Sequence, residues 1–261
     1  MTQASTREDL WVRRYHSAPD SPMRLVCLPH AGGSSTFYFP VSKALSPAVE
    51  VLAVQYPGRQ DRLAEPGIES LPELADRIFD ALQPFMDRPV ALFGHSMGAV
   101  LAHELALRTR HAGMPDPVRL FVSGRRAPSC RRDEDIRLRS DSGILDELKA
   151  LHGTDESMLN DPDVLDMIMP AIRSDYRAVE TYQLASDTLL SCPVTVLTGD
   201  NDPRVAPAEA ELWREYTTGE TDVHVFPGGH FFLADRAAEV VSLVADRLAG
   251  DARNAVTTMA G

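Results

Sequence analysis

A serine bracketed by two glycines, Gly94-His95-Ser96-Met97-Gly98, stands between an apolar run, Pro89-Val90-Ala91-Leu92-Phe93, and a helix-like stretch over residues 99–107. A G-x-S-x-G match alone also occurs in ordinary turns. Strand, tight turn and helix in succession make it a nucleophile candidate. The glycines let the chain pass where a Cβ would obstruct it, and Ser96 then projects above a sheet with helix N-terminal amides behind it. The same alternation runs through the rest of the chain. Short β-rich runs near 24–28, 50–55, 89–93, 118–123, 193–198 and 222–226 are separated by helical patterns. This predicts an α/β fold built of parallel βαβ units, a mostly parallel central sheet flanked by helices. Residues 71–85, with Leu71, Leu74, Ile78 and Leu82 at helical spacing, are expected to lie as an amphipathic helix against that sheet. Residues 11–16 are expected to add an antiparallel edge strand.

A serine hydroxyl attacks poorly unless a base takes its proton and an acid orients the base. The acid candidates follow the β-branched run 193–198, in the turn Gly199-Asp200-Asn201-Asp202-Pro203. His230 follows another short strand, Val223-His224-Val225-Phe226, through the turn Pro227-Gly228-Gly229. Serine, then aspartate, then histidine is the chain order of α/β-hydrolases. Asp202 is favoured as the acid; Asp200 is the alternative, its other use being a turn residue that binds nearby amides. His16, His103, His111, His152 and His224 are expected to be surface or hydrogen-bonded core groups, His95 to support the elbow, and His230 to be the base. An oxyanion hole needs backbone N–H groups where negative charge develops. Met97, directly after the nucleophile, is one expected donor. Ala31 is the other, in the strand-to-glycine-turn segment Leu28-Pro29-His30-Ala31-Gly32-Gly33-Ser34-Ser35. A plain Gly-Gly turn, with Ser34 or Ser35 capping the next helix, is compatible with the same residues.

These motifs taken together resemble type II thioesterases, the stand-alone editing hydrolases associated with modular polyketide and nonribosomal peptide synthases. The matching pieces are Trp11-Val12-Arg13-Arg14-Tyr15, the LPHAGGSS segment from Leu28, Gln55-Tyr56-Pro57-Gly58-Arg59, the GHSMGA elbow, Ser123-Gly124-Arg125-Arg126-Ala127-Pro128, the GDNDPRV acid turn and the PGGHFFL segment from Pro227. They extend over nearly the whole chain. The resemblance implies an α/β-hydrolase fold with a helical lid over an acyl chamber. It also implies hydrolysis of acyl thioesters from the phosphopantetheine of acyl carrier or peptidyl carrier protein domains. The expected course is an acyl-Ser96 intermediate with His230 as base and then acid, Asp202 behind it, and no cofactor, since phosphopantetheine enters as part of the substrate. A fatty-acyl carrier thioesterase or small-molecule esterase is the alternative, and a non-catalytic hydrolase-fold receptor or scaffold a more distant one.

With 261 residues, 44% of them hydrophobic, the chain can bury one substantial core, and a single domain over 1–261 is expected. About 70 residues separate the runs ending near 123 and beginning near 193, far more than the dozen or so that a parallel crossover needs. A lid insertion at about 127–190 is expected there, with Val164, Leu165, Ile168 and Ile172 at helical spacing. Met158, Met167, Met169, Tyr176 and Tyr182 would give it adaptable apolar surface, or else more core. The tail at about 251–261 is small and polar and is expected to be disordered. A formal charge of −12, from 26 basic and 38 acidic side chains, argues against nucleic acid as a partner. No run reaches the roughly 20 apolar residues of a membrane span. The first ten residues lack an apolar signal region, and Cys27, Cys130 and Cys192 lack metal-ligand spacing, so a cytoplasmic protein without metal is expected. Locally, Arg125, Arg126, Arg131, Arg132, Arg137 and Arg139 outnumber Asp133, Glu134 and Asp135. Such a run either meets a phosphate or an acidic carrier, or is a solvated face with internal ion pairs.

Overall fold

The computed structural model describes residues 10–130, 132, 134–151, 153 and 160–259. Strands β1 (Val12–Arg13), β2 (Arg24–Leu28), β3 (Glu50–Val54), β4 (Val90–His95), β5 (Leu120–Ser123), β6 (Val194–Gly199) and β7 (Thr221–Phe226) form one sheet in the order β1-β3-β2-β4-β5-β6-β7. β1 is antiparallel to β3, with Val12 opposite Val54, and every other pairing is parallel. Strands β2 to β6 are buried along their whole length. That is why they read as continuous apolar runs rather than alternating ones.

Helices α1 (Phe39–Leu45), α2 (Leu71–Leu82), α3 (Met97–His111), α4 (Asp141–Leu151), α5 (Pro162–Glu180), α6 (Pro207–Glu211), α7 (Phe232–Asp235) and α8 (Ala237–Met259) complete the chain. Alternate residues of β2 point to opposite faces of the sheet. Val26 and Leu28 join a core with α2 and α3, while Leu25 and Cys27 join one with α1, α7 and α8. Ser70 caps α2 by accepting the Glu73 N–H, and Leu71, Leu74, Ile78 and Leu82 are buried as their spacing predicts. The last turn expected of that helix, Gln83–Phe85, tightens to a 3-10 turn containing Pro84, which has no N–H to continue the ladder.

The chain is helical as far as Met259 rather than disordered from about 251. Leu248 is buried, and Asp251 accepts two hydrogen bonds from Arg119, at 2.7 and 2.8 Å, which tie this helix to the start of β5.

β2 lies between β3 and β4, so the chain leaves β2 on one side and returns on the other. The crevice at the carboxyl ends of β2 and β4 is therefore a topological switch point, where ligands of such sheets bind. The loop with Ala31 leaves one of these strands and Ser96 the other. Over this end lies the β5–β6 insertion, with α4 and α5 and a small core of its own: Ile136, Ile144, Leu148, Met169, Ile172 and Tyr176. Met169 is thus core rather than adaptable surface, whereas Met158 and His152 lie outside the described residues.

Candidate active site

Ser96 has φ 54° and ψ −114°, a left-handed conformation that costs a non-glycine residue about 1–3 kcal/mol. Its N–H donates to the Ser123 carbonyl at 2.8 Å, which anchors the elbow to the neighbouring strand. The two glycines serve close approach. A Cβ on Gly94 would lie 1.9 Å from the Gly98 carbonyl oxygen, and one on Gly98 would lie 2.0 Å from that of Leu28. α3 begins at Met97, so the Met97 N–H is among the amides that a helix start leaves without an intrahelical acceptor.

In the loop after β2, Gly33 N–H donates to the His30 carbonyl at 2.9 Å. The His30–Ala31 peptide is trans, so its N–H, that of Ala31, points away from that turn. The QYPGR segment braces this loop. Tyr56 donates its hydroxyl to the Pro29 carbonyl at 3.0 Å. Gln55 Oε1 accepts from the Ser35 N–H at 3.1 Å and from the Ser35 hydroxyl at 2.6 Å. Arg59 donates to the Gly33 carbonyl at 2.9 Å and holds Asp175 of α5 through two further hydrogen bonds, at 2.7 and 2.8 Å.

Asp202 and His230 meet at the ends of β6 and β7. His230 Nδ1 lies 2.8 Å from Asp202 Oδ2, and Arg204 N–H donates to Asp202 Oδ1 at 2.8 Å. Both side chains are almost wholly buried. Asp200 is turned elsewhere, accepting the Gly228 N–H at 2.9 Å and the Asn201 amide at 2.7 Å, so it holds the turn that carries His230.

Ser96, His230 and Ala31 line one cavity of about 660 Å³, whose outer wall is the insertion, through residues such as Leu148, Ile168, Ile172 and Tyr176. Two further histidines flank His230. The His95 ring lies 5.0 Å from it, with Nδ1 3.0 Å from Ser123 Oγ, and His30 packs between Phe37 and Phe231. Burial, reinforced by the nearby His230 and Arg59, pushes His30 down to about 3. Burial and its histidine neighbours likewise hold His95 well below the ordinary value. Both rings therefore stay neutral beside His230 at ordinary pH. His103 is a core histidine, as expected of its helix, but neither ring nitrogen has a hydrogen-bond partner among the described residues. Its ring instead stands edge-on to Trp213 and Tyr216.

Four arginines of the run are ion-paired within the molecule. Arg126 pairs with Glu134, Arg132 with Glu209, Arg137 with Glu180, and Arg139 with Asp135 and Glu147; Arg131 lies outside the described residues. Three of these partners, Glu147, Glu180 and Glu209, come from outside the run, while Arg125 lines the cavity and has its ordinary value pushed down to about 10 by burial. Sequence reasoning assigned no role to Asp175. Its signal was an acid on the apolar stripe of α5, in register with Ile168, Ile172 and Val179.

Residues 23–248 match the family model of the thioesterase domain. The chain belongs to the thioesterase family. This thioesterase is 48% identical over 251 residues to the probable cadicidin biosynthesis thioesterase of Streptomyces griseus, covering 96% of this chain and 69% of that protein. It is 47% identical over 242 residues to thioesterase PikA5 of Streptomyces venezuelae, covering 92% and 85%. Among solved structures it is similar to the type II thioesterase BorB from the borrelidin biosynthetic cluster, with a TM-score of 0.87 and 48% identity over 92% of this chain and 98% of that one. The thioesterase is accordingly of type II, an α/β-hydrolase-fold enzyme that hydrolyses acyl thioesters in the editing of polyketide and nonribosomal peptide synthesis. No helix among the described residues is long and apolar enough to cross a membrane.

Proposed function

We propose that Ser96, His230 and Asp202 are the catalytic triad, that the Ala31 and Met97 amides form the oxyanion hole, and that the substrate is an acyl group on the phosphopantetheine of a carrier protein domain. The observation that carries this reading is the Asp202–His230 contact of 2.8 Å, buried against the cavity that Ser96 and His230 both line. With Nδ1–H donating to Asp202, the imidazole presents Nε2 as the acceptor for the serine proton. Ser96 Oγ attacks the thioester carbonyl while Nε2 takes its proton, and the oxygen that becomes negative is met by the two amides. The C–S bond then breaks and the imidazolium returns the proton to the departing sulfur. A water, deprotonated by His230, attacks the acyl-serine, and the free acid leaves as Ser96 regains its proton. The neutral neighbours His30 and His95 suit this cycle, since neither ring adds a positive charge beside the transient imidazolium. The apolar outer wall suits an acyl chain.

Replacing Ser96 with Ala should lower turnover of an acyl carrier protein on the order of 10⁶-fold with the fold intact by circular dichroism. Asp202→Asn should cost about 10⁴-fold and Asp200→Asn far less. Retention of most activity by the Ser96 variant sinks the nucleophile, and the reverse ranking of the aspartates moves the acid. Comparing carrier-bound acyl groups with the same groups on free pantetheine and on oxygen esters tests the substrate. Faster turnover of the oxygen esters would make the chain an esterase instead.

A further inference from the structure

The loop that carries Ala31 is rich in glycine, and Gly32 has φ +75°, so by itself it has little reason to hold one shape. In the structure each of its peptide groups from His30 to Ser34 is tied. The turn hydrogen bond from Gly33 N–H to the His30 carbonyl fixes the His30–Ala31 and Gly32–Gly33 peptides. The Ala31–Gly32 peptide donates its N–H to Asp175 Oδ2 at 2.7 Å. The Gly33–Ser34 peptide accepts from Arg59 Nη1 at 2.9 Å, and the same Arg59 nitrogen donates to Asp175 Oδ2 at 2.7 Å. Asp175 belongs to α5 of the insertion, 143 residues from Gly32. One turn further back on that helix, Ile172 packs so closely on Gly32 that a Cβ there would lie 2.9 Å from its Cγ1.

We propose that Asp175 and Arg59 are positioning residues for the oxyanion hole, a buried tether through which α5 fixes the Ala31–Gly32 and Gly33–Ser34 peptides, between which the turn is held whose His30–Ala31 peptide carries the Ala31 N–H. This rests on the reading of Ala31 as an oxyanion donor. The side chains are 2% and 8% exposed, and a buried ion pair is a poor way merely to hold two elements together. Apolar residues of similar volume often do that as well or better. What a carboxylate does, and a leucine cannot, is accept a main-chain N–H beside the reacting centre. Because the carboxylate comes from the insertion, the hole is complete only when α5 is seated. Closure of the cavity and assembly of the oxyanion donor are then one event.

The test separates position from stability. Asp175→Asn and the double variant Arg59→Met with Asp175→Leu are compared with the wild type in kcat and KM on acyl-pantetheine and in thermal midpoint. Affinity is measured for two pantetheine analogues: a non-hydrolysable acyl thioether, which mimics the ground state, and a trifluoromethyl ketone, whose serine adduct mimics the tetrahedral intermediate. Asp175→Asn should lower kcat about 10- to 100-fold, somewhat less than outright loss of an oxyanion donor. KM and thioether affinity should stay within about twofold, while ketone affinity falls by the same factor as kcat. The double variant should regain the thermal midpoint but not kcat. Recovery of both together, or a loss carried by KM and thioether affinity, overturns the tether and leaves the pair as packing. A wild-type enzyme that prefers the ketone no more than the thioether overturns the oxyanion reading and the tether with it, whereas turnover of oxygen esters alone displaces only the carrier substrate, the same ratios then being read on the ester.

Discussion

The central sheet and the insertion that walls its cavity are held by different physics. Strands β2 to β6 are buried from end to end, and side chains such as Leu25, Leu52, Leu92 and Phe121 are wholly inaccessible. The insertion has a small apolar cluster, and much of its remaining order comes from charge: Arg137 on Glu180, Arg139 on Glu147 and Asp135, Arg173 on Asp141, Arg204 on Glu134 and Glu147. Burial of apolar surface is not weakened by electrostatic screening. Ion pairs that are partly exposed contribute about 0–1 kcal/mol each and weaken as salt screens them. Ser96, Asp202 and His230 all hang from the sheet, and the apolar wall hangs largely from the insertion. The proposed triad and the wall of its cavity therefore answer to different perturbations.

Deleting a large core side chain breaks the comparison most severely. Phe121→Ala should lower the unfolding free energy by about 3–5 kcal/mol, read as a lower urea midpoint with unchanged slope. Ile144→Ala, in the insertion, should lower that free energy by less than about 1 kcal/mol while amide exchange quickens in α4 and α5. Equal losses from the two would make frame and wall one cooperative unit.

Acid should act on the two regions in different windows. His103 is held down to about 4 by burial, which the nearby Glu104 only partly opposes, and His30 is held at about 3. Both are neutral when folded, whereas the unfolded chain takes up protons below 6.5, so stability on the sheet side falls as pH drops from about 6.5 toward 3–4. In the insertion, burial works to raise the Glu134 carboxyl, but the hydrogen bond from Arg126 and the charges of Arg126, Arg125 and Arg204 outweigh it and hold it below its ordinary 4.5. Its contribution is present above about 4.5 and is lost only as pH falls through that lowered value. Between pH 7 and pH 5 the thermal midpoint should thus decline through the histidines. His103→Leu, which also removes two unpartnered ring nitrogens, should flatten that decline; an unchanged acid slope would refute the assignment.

Salt is the gentlest probe. Raising it from about 0.1 to 1 M contracts the Debye length from about 10 to 3 Å and should speed amide exchange in α4 and α5 severalfold while leaving β4 and β5 unaffected. Uniform exchange across both regions would deny the insertion any mobility of its own.

The same division explains what the sequence disclosed. The parallel strands were legible because burial on both faces writes an unbroken apolar run, and β1 because Trp11 and Val12 face the core at an edge. The positions of Ser96, Asp202 and His230, the proposed triad, at strand ends were legible because each follows such a run through a turn. Asp175 was not, since its partners Gly32 and Arg59 are 143 and 116 residues away, and no local pattern records a pairing of that span. The arginine run was misleading for the same reason. Its net charge is visible locally, but Glu147, Glu180 and Glu209, which pair with Arg139, Arg137 and Arg132, come from α4, α5 and α6. The helical end of α8 depends on Asp251 reaching Arg119, 132 residues earlier, while its own composition of small and polar residues points to a loose tail.

Gly98 leaves no room for even a methyl group between the first turn of α3 and the Leu28 carbonyl. The two stretches of main chain at this end of the sheet, one leading from Ser96, the proposed nucleophile, and the other to the loop with Ala31, are therefore spaced by direct backbone contact, like two jaws of a calliper closed on a fixed stop. Nothing that varies with substrate lies in that gap. Side chains farther out can be enlarged, trimmed or recharged to suit one acyl group or another while the calliper keeps its setting. In the proposed reading, accommodation of the acyl group and the spacing of the proposed nucleophile and oxyanion donor are thereby assigned to separate parts of the molecule.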